Sequence, residues 1–154
     1  MTPRAQIDDF LGRKRLALVG VSRNTNDFTR NLFREFLARG YDAVPVNPNA
    51  GEMEGRPCFA HLQDVTPPVE GAVLLTTPAL TDQVVRDCAE AGIHRVWMHR
   101  GAGVGAVSPS AIEFCESQGI AVVAGECPFM FFPNTSFIHR VHGMINRITG
   151  RYPR

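Results

Sequence analysis

The sequence has no strong excess of charge, no long apolar run and only one lysine. Its 16 lysine and arginine residues nearly balance 15 acidic residues, so the formal net charge is +1. Such a balance creates no general attraction to nucleic acid. No stretch approaches the roughly 20 apolar residues of a membrane span, and the N-terminus MTPRAQIDDF lacks the apolar core of a signal peptide. We therefore expect a cytoplasmic protein that neither spans a membrane nor binds nucleic acid.

The sequence also lacks paired cysteines and a recognisable metal-binding pattern. Its four cysteines are far apart, with no CxxC spacing, which is typical of reduced thiols in a chain of this length. His139 and His142 are three residues apart, but no third ligand follows at a diagnostic spacing. We therefore predict neither disulfides nor a metal site.

The 154 residues, 44% of them apolar and 20% charged, suit one globular domain. Short apolar runs predict five strands, at 15–21, 41–47, 69–77, 93–99 and 120–124. Helical spacing predicts helices at 7–13, 29–39, 80–91 and 109–118. This alternation predicts an α/β fold, a doubly wound, mainly parallel, five-stranded Rossmann-like sheet. Ligands of such sheets bind beyond the carboxyl ends of the strands, where the winding reverses.

The turn after the first strand (residues 20–27, hereafter the phosphate turn) resembles only part of a dinucleotide fingerprint. A G-x-G-x-x-G motif would place glycine at three positions, but the chain has Gly20, Ser22 and Thr25 there. The second strand ends in Val46-Asn47-Pro48, without the acidic residue that holds the ribose of NAD. Both features disfavour NAD.

An anion site at the phosphate turn remains open. Ser22 supplies a hydroxyl, and the next helix directs its positive end towards the turn. Arg23 and Arg30 are placed to donate charge-assisted hydrogen bonds to phosphate oxygens. The alternative is that the polar residues here only cap the helix and close the turn.

Six segments resemble the small CoA-binding proteins that are related to the CoA-binding domain of the succinyl-CoA synthetase alpha subunit. They are LVGVSR (18–23), GYDAVPVNPN (40–49), EGRPCF (54–59), LQDV (62–65), AGIHRVWMH (91–99) and GIAVVAGECP (119–128). The resemblance implies a single Rossmann-like domain over residues 1–154, with a core at about 10–128. It also implies binding of coenzyme A (CoA) or an acyl-CoA through the phosphorylated ADP end.

The resemblance also implies which residues bind CoA. These are Gly20, Val21, Ser22 and Arg23 at the phosphate turn, Val46, Asn47 and Pro48 beside the adenosine, Thr76, Thr77 and Pro78 on the opposite wall, and Met98 and His99 at the next strand end. We add Arg30, which the sequence itself places near the turn. Asp27-Phe28 and Thr76-Thr77 stand where family members often carry basic residues. Arg23, Arg30 and Arg100 are the candidate substitutes.

Three functions remain open from the sequence. The first is a stand-alone CoA-binding, carrier or sensor protein. The second is a CoA-presenting subunit of an acyl-CoA synthetase-like enzyme. The third is a regulatory NAD- or nucleotide-binding module. The chain lacks the second domain of a synthetase, so we expect no catalysis by the isolated chain. His99 and Cys127 lie after predicted strands, but we interpret both as non-catalytic.

The segment after residue 128 predicts a basic amphipathic helix. Phe137, Val141 and Ile145 are on one face, and Arg140 and Arg147 are on the other. We expect this C-terminal extension (129–154) to pack on the sheet or to form a homo-oligomer contact; an anionic surface is the alternative partner.

Overall fold

The computed structural model describes residues 3–49, 51–101 and 103–132 of the chain. The helices are α1 (Arg4–Leu11), α2 (Phe28–Ala38), α3 (Pro78–Glu90) and α4 (Pro109–Ser117). The strands are β1 (Arg15–Val19), β2 (Asp42–Val46), β3 (Glu52–Met53), β4 (Arg56–Pro57), β5 (Gly71–Leu74), β6 (Arg95–His99) and β7 (Ala121–Glu126). The predicted C-terminal helix lies outside the described residues.

Five strands form one parallel sheet in the order β2-β1-β5-β6-β7, which confirms the predicted doubly wound α/β architecture. The chain moves outward from β1 to β2 and then crosses back to β5 on the other side of β1. Val19, at the end of β1, is paired with Val46 on β2 and with Leu74 on β5. The carboxyl ends of three strands therefore meet at the point where the winding reverses.

The sheet separates two apolar layers. On one face Leu16 and Leu18 of β1 pack with α1 and α2, and on the other Ala17 and Val19 pack with α3 and α4. Strands covered on both faces need apolar residues at consecutive positions, which explains the continuous runs in the sequence. Within the described ranges, no helix has the length and apolarity to cross a bilayer.

A small antiparallel hairpin, β3–β4, follows β2 and has no counterpart in the prediction. Each strand has two residues, too few to show an alternating pattern. Its turn consists of Glu54 and Gly55, with φ of 50° and 75°. Two consecutive left-handed residues match the twist of a tight hairpin.

Candidate functional site

The phosphate turn leaves β1 through a glycine that is in close contact with two neighbouring strands. Gly20 has φ of 96°, and its N–H donates to the Val46 carbonyl at 3.0 Å. A Cβ at this position would lie 2.9 Å from the carbonyl oxygen of Leu75. The chain therefore requires glycine here, both for its backbone conformation and for the close approach to the end of β5.

Asn47 connects the end of β2 to the phosphate turn. Its Nδ2 donates to the Val21 carbonyl at 2.9 Å, and its Oδ1 accepts from the Asn49 N–H at 2.8 Å. Both ends of the amide are therefore engaged in holding the two loops together. No carboxylate takes this position, where a dinucleotide site would use one for its ribose.

The N-terminus of α2 is satisfied by its own cap. Asp27 Oδ2 accepts from the Thr29 N–H at 2.8 Å, and Thr29 Oγ1 accepts from the Ser22 N–H at 2.8 Å. The Asn24 N–H donates to Ser22 Oγ at 3.0 Å. The carboxylate of Asp27 therefore lies where the sequence suggested that the helix would face a phosphate, which weakens the contribution of α2 to anion binding.

The three candidate cations have different surroundings. Arg30 is only 7% exposed, and its Nη2 lies 2.6 Å from Glu54 Oε2. Arg100 Nε donates to the Gly103 carbonyl at 2.8 Å. Arg23 is exposed, and its Nη1 lies 3.4 Å from the carbonyl oxygen of Asn49 at the edge of the cleft. Of the three, Arg23 is the best placed to meet a ligand.

A cleft of about 420 Å³ opens where the winding reverses. Its lining includes five of the residues predicted to bind CoA, namely Gly20, Val46, Asn47, Pro48 and Thr76. Val21 and Met98 are fully buried, Thr77 and Pro78 begin α3, and Ser22, Arg23, Arg30 and His99 lie around the phosphate turn and the end of β6. The structure thus places all three residues of the first predicted wall at the cleft but only Thr76 of the second, and the other eight predicted residues lie outside its lining.

The second wall of the cleft is the start of α3. Thr77 is the N-cap residue, but its side chain makes no capping hydrogen bond, and Pro78 occupies the first turn. Leu80, in that first turn, lines the cleft and is 57% exposed. The positive end of α3, unlike that of α2, is therefore not compensated by a capping side chain.

Part of the lining was absent from the prediction. It consists of Val19 at the end of β1, of Asn49 after β2, of Ala60, His61 and Leu62 after the hairpin, and of Leu80, Gln83, Val84 and Asp87 on α3. The α3 residues recur at intervals of three and four, which places them on one helical face. That spacing was the available signal, but an ordinary core-facing stripe has the same pattern. Asp87 Oδ1 accepts from Gln63 at 3.0 Å and from Gln83 at 3.1 Å.

His99 lies at the end of β6 under an aromatic cover. Its ring centroid is 5.3 Å from that of Phe28, and its Nε2 is buried without a hydrogen-bond partner in the described part of the chain. Burial lowers the pKa of His99 to about 4, so the ring is neutral at pH 7. A neutral, covered imidazole supplies no charge to a phosphate.

We expect His99 to make the protein less stable in acid. The unfolded chain binds a proton near pH 6.5 but the folded chain only near pH 4, so stability is lost as pH falls between these values. At pH 4.5 the loss amounts to about 2 kcal/mol. Urea unfolding at pH 7 and pH 4.5 should show a loss about 2 kcal/mol larger in the wild type than in His99→Phe, because carboxylates with a lowered pKa, such as Glu54 and Glu70, lose stability equally in both proteins.

Glu126 is paired with His99 across β6 and β7, and burial raises its pKa, which has the opposite effect on stability. It is present in both proteins, so the difference between them isolates His99. Equal losses of stability in the two proteins would contradict the prediction.

The cysteines offer no reactive thiolate near the cleft. Cys127 is 3% exposed, and burial raises the pKa of its thiol to about 11. Burial also raises the pKa of Cys58, the half-buried thiol beside Asn47. At pH 7 both are protonated, which does not favour a mixed disulfide with a bound thiol. No metal-binding cluster of His, Cys, Asp or Glu occurs among the residues that the structure describes.

Comparisons with known proteins agree with this geometry. Residues 14–133 match the model of the CoA binding domain family. A hypothetical protein from Pyrococcus horikoshii OT3 has 26% sequence identity and a TM-score of 0.75, and the match covers 83% of this chain and 87% of that chain. The uncharacterized protein YneT of Bacillus subtilis (strain 168) is 23% identical over 125 residues, which are 80% of this chain and 90% of YneT.

The fold also occurs inside a larger enzyme. The dinucleotide-forming acetyl-coenzyme A synthetase 1 of Ca. Korarchaeum cryptofilum matches with a TM-score of 0.65 and 24% identity, over 77% of this chain but only 27% of the synthetase chain. At that identity the likeness concerns the fold alone. The family match spans all five strands of the sheet and every segment that lines the cleft. The chain therefore belongs to the CoA binding domain family.

Proposed function

We infer that this protein binds CoA or an acyl-CoA through its 3′-phosphorylated ADP end, as a stand-alone binding, carrier or sensor protein. The observation that carries this proposal is the cleft at the winding reversal, with Gly20 between its two walls. Its volume of about 420 Å³ falls in the range of small-molecule sites. Membership of the CoA binding domain family gives the ligand its chemical identity.

The walls suit an adenosine group. Val46 and Pro48 from the end of β2 and Leu80 and Val84 from α3 all line the cleft, so two elements offer apolar side chains to a flat base. His61, Gln83 and Asp87 supply polar atoms to orient it. This combination of apolar walls and a few polar groups is usual for nucleotide-sized ligands.

The phosphates are best accommodated at the bare backbone of Gly20 and the uncompensated start of α3. Gly20 carries no side chain to keep an anion at a distance, and the start of α3, whose N-cap side chain makes no capping hydrogen bond, lies at the same cleft. Arg23 reaches the edge of the cleft and adds a positive charge.

CoA suits this cleft better than NAD. The ribose of CoA carries a 3′-phosphate, which an acidic residue at the end of β2 would repel. Asn47 takes that position, with both ends of its amide engaged. Without a carboxylate at this position, NAD lacks a partner for its ribose hydroxyls. The 3′-phosphate of CoA, in contrast, meets no negative charge there.

Thermal unfolding with CoA, 3′-dephospho-CoA and NAD tests the proposal. At a hundredfold excess over its dissociation constant, a ligand stabilises the native state by about 2.7 kcal/mol. For a domain of this size we expect CoA to raise the Tm by roughly 5–10 °C. The dephosphorylated form should give a smaller shift and NAD the smallest. A larger shift with NADH than with CoA would favour a regulatory dinucleotide-binding module instead.

A CoA-presenting subunit of an acyl-CoA synthetase-like enzyme is the second candidate. The similar fold within the acetyl-coenzyme A synthetase favours it. The described lining of the cleft includes no cysteine, and the buried His99 is neutral at pH 7, so we expect no acyl-CoA formation by the isolated chain. Acyl-CoA formation from ATP, a carboxylate and CoA that requires both this chain and a synthetase beta-like chain would support the subunit function over the stand-alone one.

A further inference from the structure

The β3–β4 hairpin makes two ion pairs with α2 through one glutamate. Glu54 Oε2 lies 2.6 Å from Arg30 Nη2, and Glu54 Oε1 lies 2.7 Å from Arg34 Nε. The two arginines hold the pKa of Glu54 below its ordinary value, so the carboxylate is charged at neutral pH. The hairpin is thus attached to α2 by two salt bridges, one from each carboxylate oxygen of Glu54.

Glu54 occupies an unfavourable backbone position for a glutamate. Its φ of 50° is in the left-handed region, which glycine and asparagine adopt more readily. It is the one non-glycine residue with positive φ among the residues that the structure describes. Strain of this kind persists where the surrounding structure requires it, and here the side chain at that position is the one that holds Arg30.

Arg30 transmits the contact to the phosphate turn. Its side chain is 8% exposed, and its Nη1 lies 3.2 Å from the Arg23 carbonyl oxygen and 3.4 Å from that of Ser22. The guanidinium is planar and rigid, so an anchor on one nitrogen fixes the directions of the others. Glu54 therefore determines where two consecutive carbonyls of the phosphate turn point.

The direction of the carbonyls fixes the direction of the amides. In a trans peptide the C=O and the following N–H point to opposite sides. With the Ser22 carbonyl facing Arg30, the N–H of Arg23 points away from Arg30, and no protein acceptor for it occurs among the described residues. The next N–H, of Asn24, donates to Ser22 Oγ. The Arg23 N–H is thus left for a ligand.

We propose that Glu54 is a positioning residue for the ligand phosphates, acting through Arg30 on the peptide groups of the phosphate turn. The proposal rests on the proposed binding of CoA at this cleft. It gives Arg30 a different role from the one that the sequence suggested, because Nη2 is engaged by Glu54 and Nη1 by the two carbonyls rather than directed at a phosphate. It also gives the hairpin a function, since Glu54 is presented by its turn.

Glu54→Gln tests the proposal because it preserves size while removing the charge that holds Arg30. We expect affinity for CoA and for 3′,5′-ADP to fall about tenfold by isothermal titration calorimetry, as for the loss of a charge-assisted hydrogen bond. Affinity for adenosine, measured by NMR titration, should stay within about twofold, because adenosine has no phosphate. The readout is the ratio of the affinity for 3′,5′-ADP to the affinity for adenosine. A purely structural role of Glu54 would not change this ratio.

Arg34→Gln is the matched control, because it removes the other, exposed pair of Glu54 and leaves Arg30 in place. We expect it to bind all three ligands like the wild type. Arg30→Lys should reproduce the loss seen in Glu54→Gln, since an ammonium keeps the charge but lacks the two separate nitrogens with which Arg30 holds Glu54 and the carbonyls.

One result would overturn this inference and leave the proposed function intact: the wild type binds CoA, and Glu54→Gln binds CoA and 3′,5′-ADP with the same affinities. Equal weakening of adenosine and 3′,5′-ADP would overturn it as well, because that result indicates general loosening of the fold. If the wild type binds neither CoA nor 3′,5′-ADP, the proposed function fails, and the role of Glu54 fails with it.

Discussion

Gly20→Ala is expected to destabilise the protein by about 2–4 kcal/mol and to weaken CoA binding at least tenfold. An alanine at φ of 96° is strained, and its Cβ would lie 2.9 Å from the Leu75 carbonyl oxygen. That oxygen belongs to the backbone at the end of β5 and cannot rotate away as a side chain would. Relief requires β1 and β5 to separate at their carboxyl ends, where the cleft opens. Urea unfolding gives the loss of stability, and calorimetric titration gives the loss of affinity.

Gly40→Ala is the matched control for this substitution. Gly40 has a similar φ of 87°, but a Cβ there would meet no atom within 4 Å. It therefore has the backbone strain without the steric contact, and we expect a cost of about 1 kcal/mol with unchanged CoA affinity. If Gly20→Ala and Gly40→Ala behave alike, the close approach at the cleft has no energetic weight, and the proposed role of Gly20 is wrong.

The sheet could be predicted from the sequence because every central strand is buried on both faces. Burial on both faces requires apolar residues in succession, as at Ala17 and Leu18, and such runs stand out from the helical spacing of Leu32 and Phe36. Once strands and helices alternate, the right-handed crossover rule leaves few arrangements. The position of the cleft then follows from the winding, without knowledge of any side chain.

The far wall of the cleft could not be predicted in the same way. Leu80 and Val84 have the spacing of an ordinary buried stripe, and the sequence does not distinguish a face that meets the core from one that meets a ligand. The two kinds of helix face differ in how far their side chains are exposed. Here that exposure depends on the loop after the hairpin. Leu80 is left 57% exposed at the opening of the cleft.

The arginines of the phosphate turn show a second limit of prediction from the sequence. From the sequence, Arg23 and Arg30 are equivalent candidates for phosphate binding. Their environments differ because Glu54, 24 residues after Arg30, is returned to α2 by a hairpin of two-residue strands. Charge pairing over such a distance depends on backbone geometry that has no periodic signal. A pairing of this kind decides which arginine is free for a ligand.

Ser22→Asp is expected to reduce CoA affinity by one to two orders of magnitude while leaving the fold intact. Ser22 Oγ accepts the Asn24 N–H at 3.0 Å, and an aspartate in the same position can accept that N–H in an Asx turn. The substitution therefore adds a negative charge to the phosphate turn without removing a hydrogen bond from it. A unit charge within about 4 Å of a phosphate costs up to about 4 kcal/mol at an effective dielectric constant of 20, before screening by salt. The loss should shrink as ionic strength rises.

Ser22→Asn separates charge from shape in this experiment. Asparagine forms the same turn and has nearly the same volume as aspartate, but it is neutral, so we expect its CoA affinity to remain within about threefold of the wild type. Thermal unfolding without ligand should give similar Tm values for both variants, and titrations at low and high salt should show a salt-dependent deficit in Ser22→Asp only. Equal CoA affinity of the two variants at low salt would mean that no ligand phosphate lies near Ser22, and the phosphates would then have to bind at the start of α3 alone.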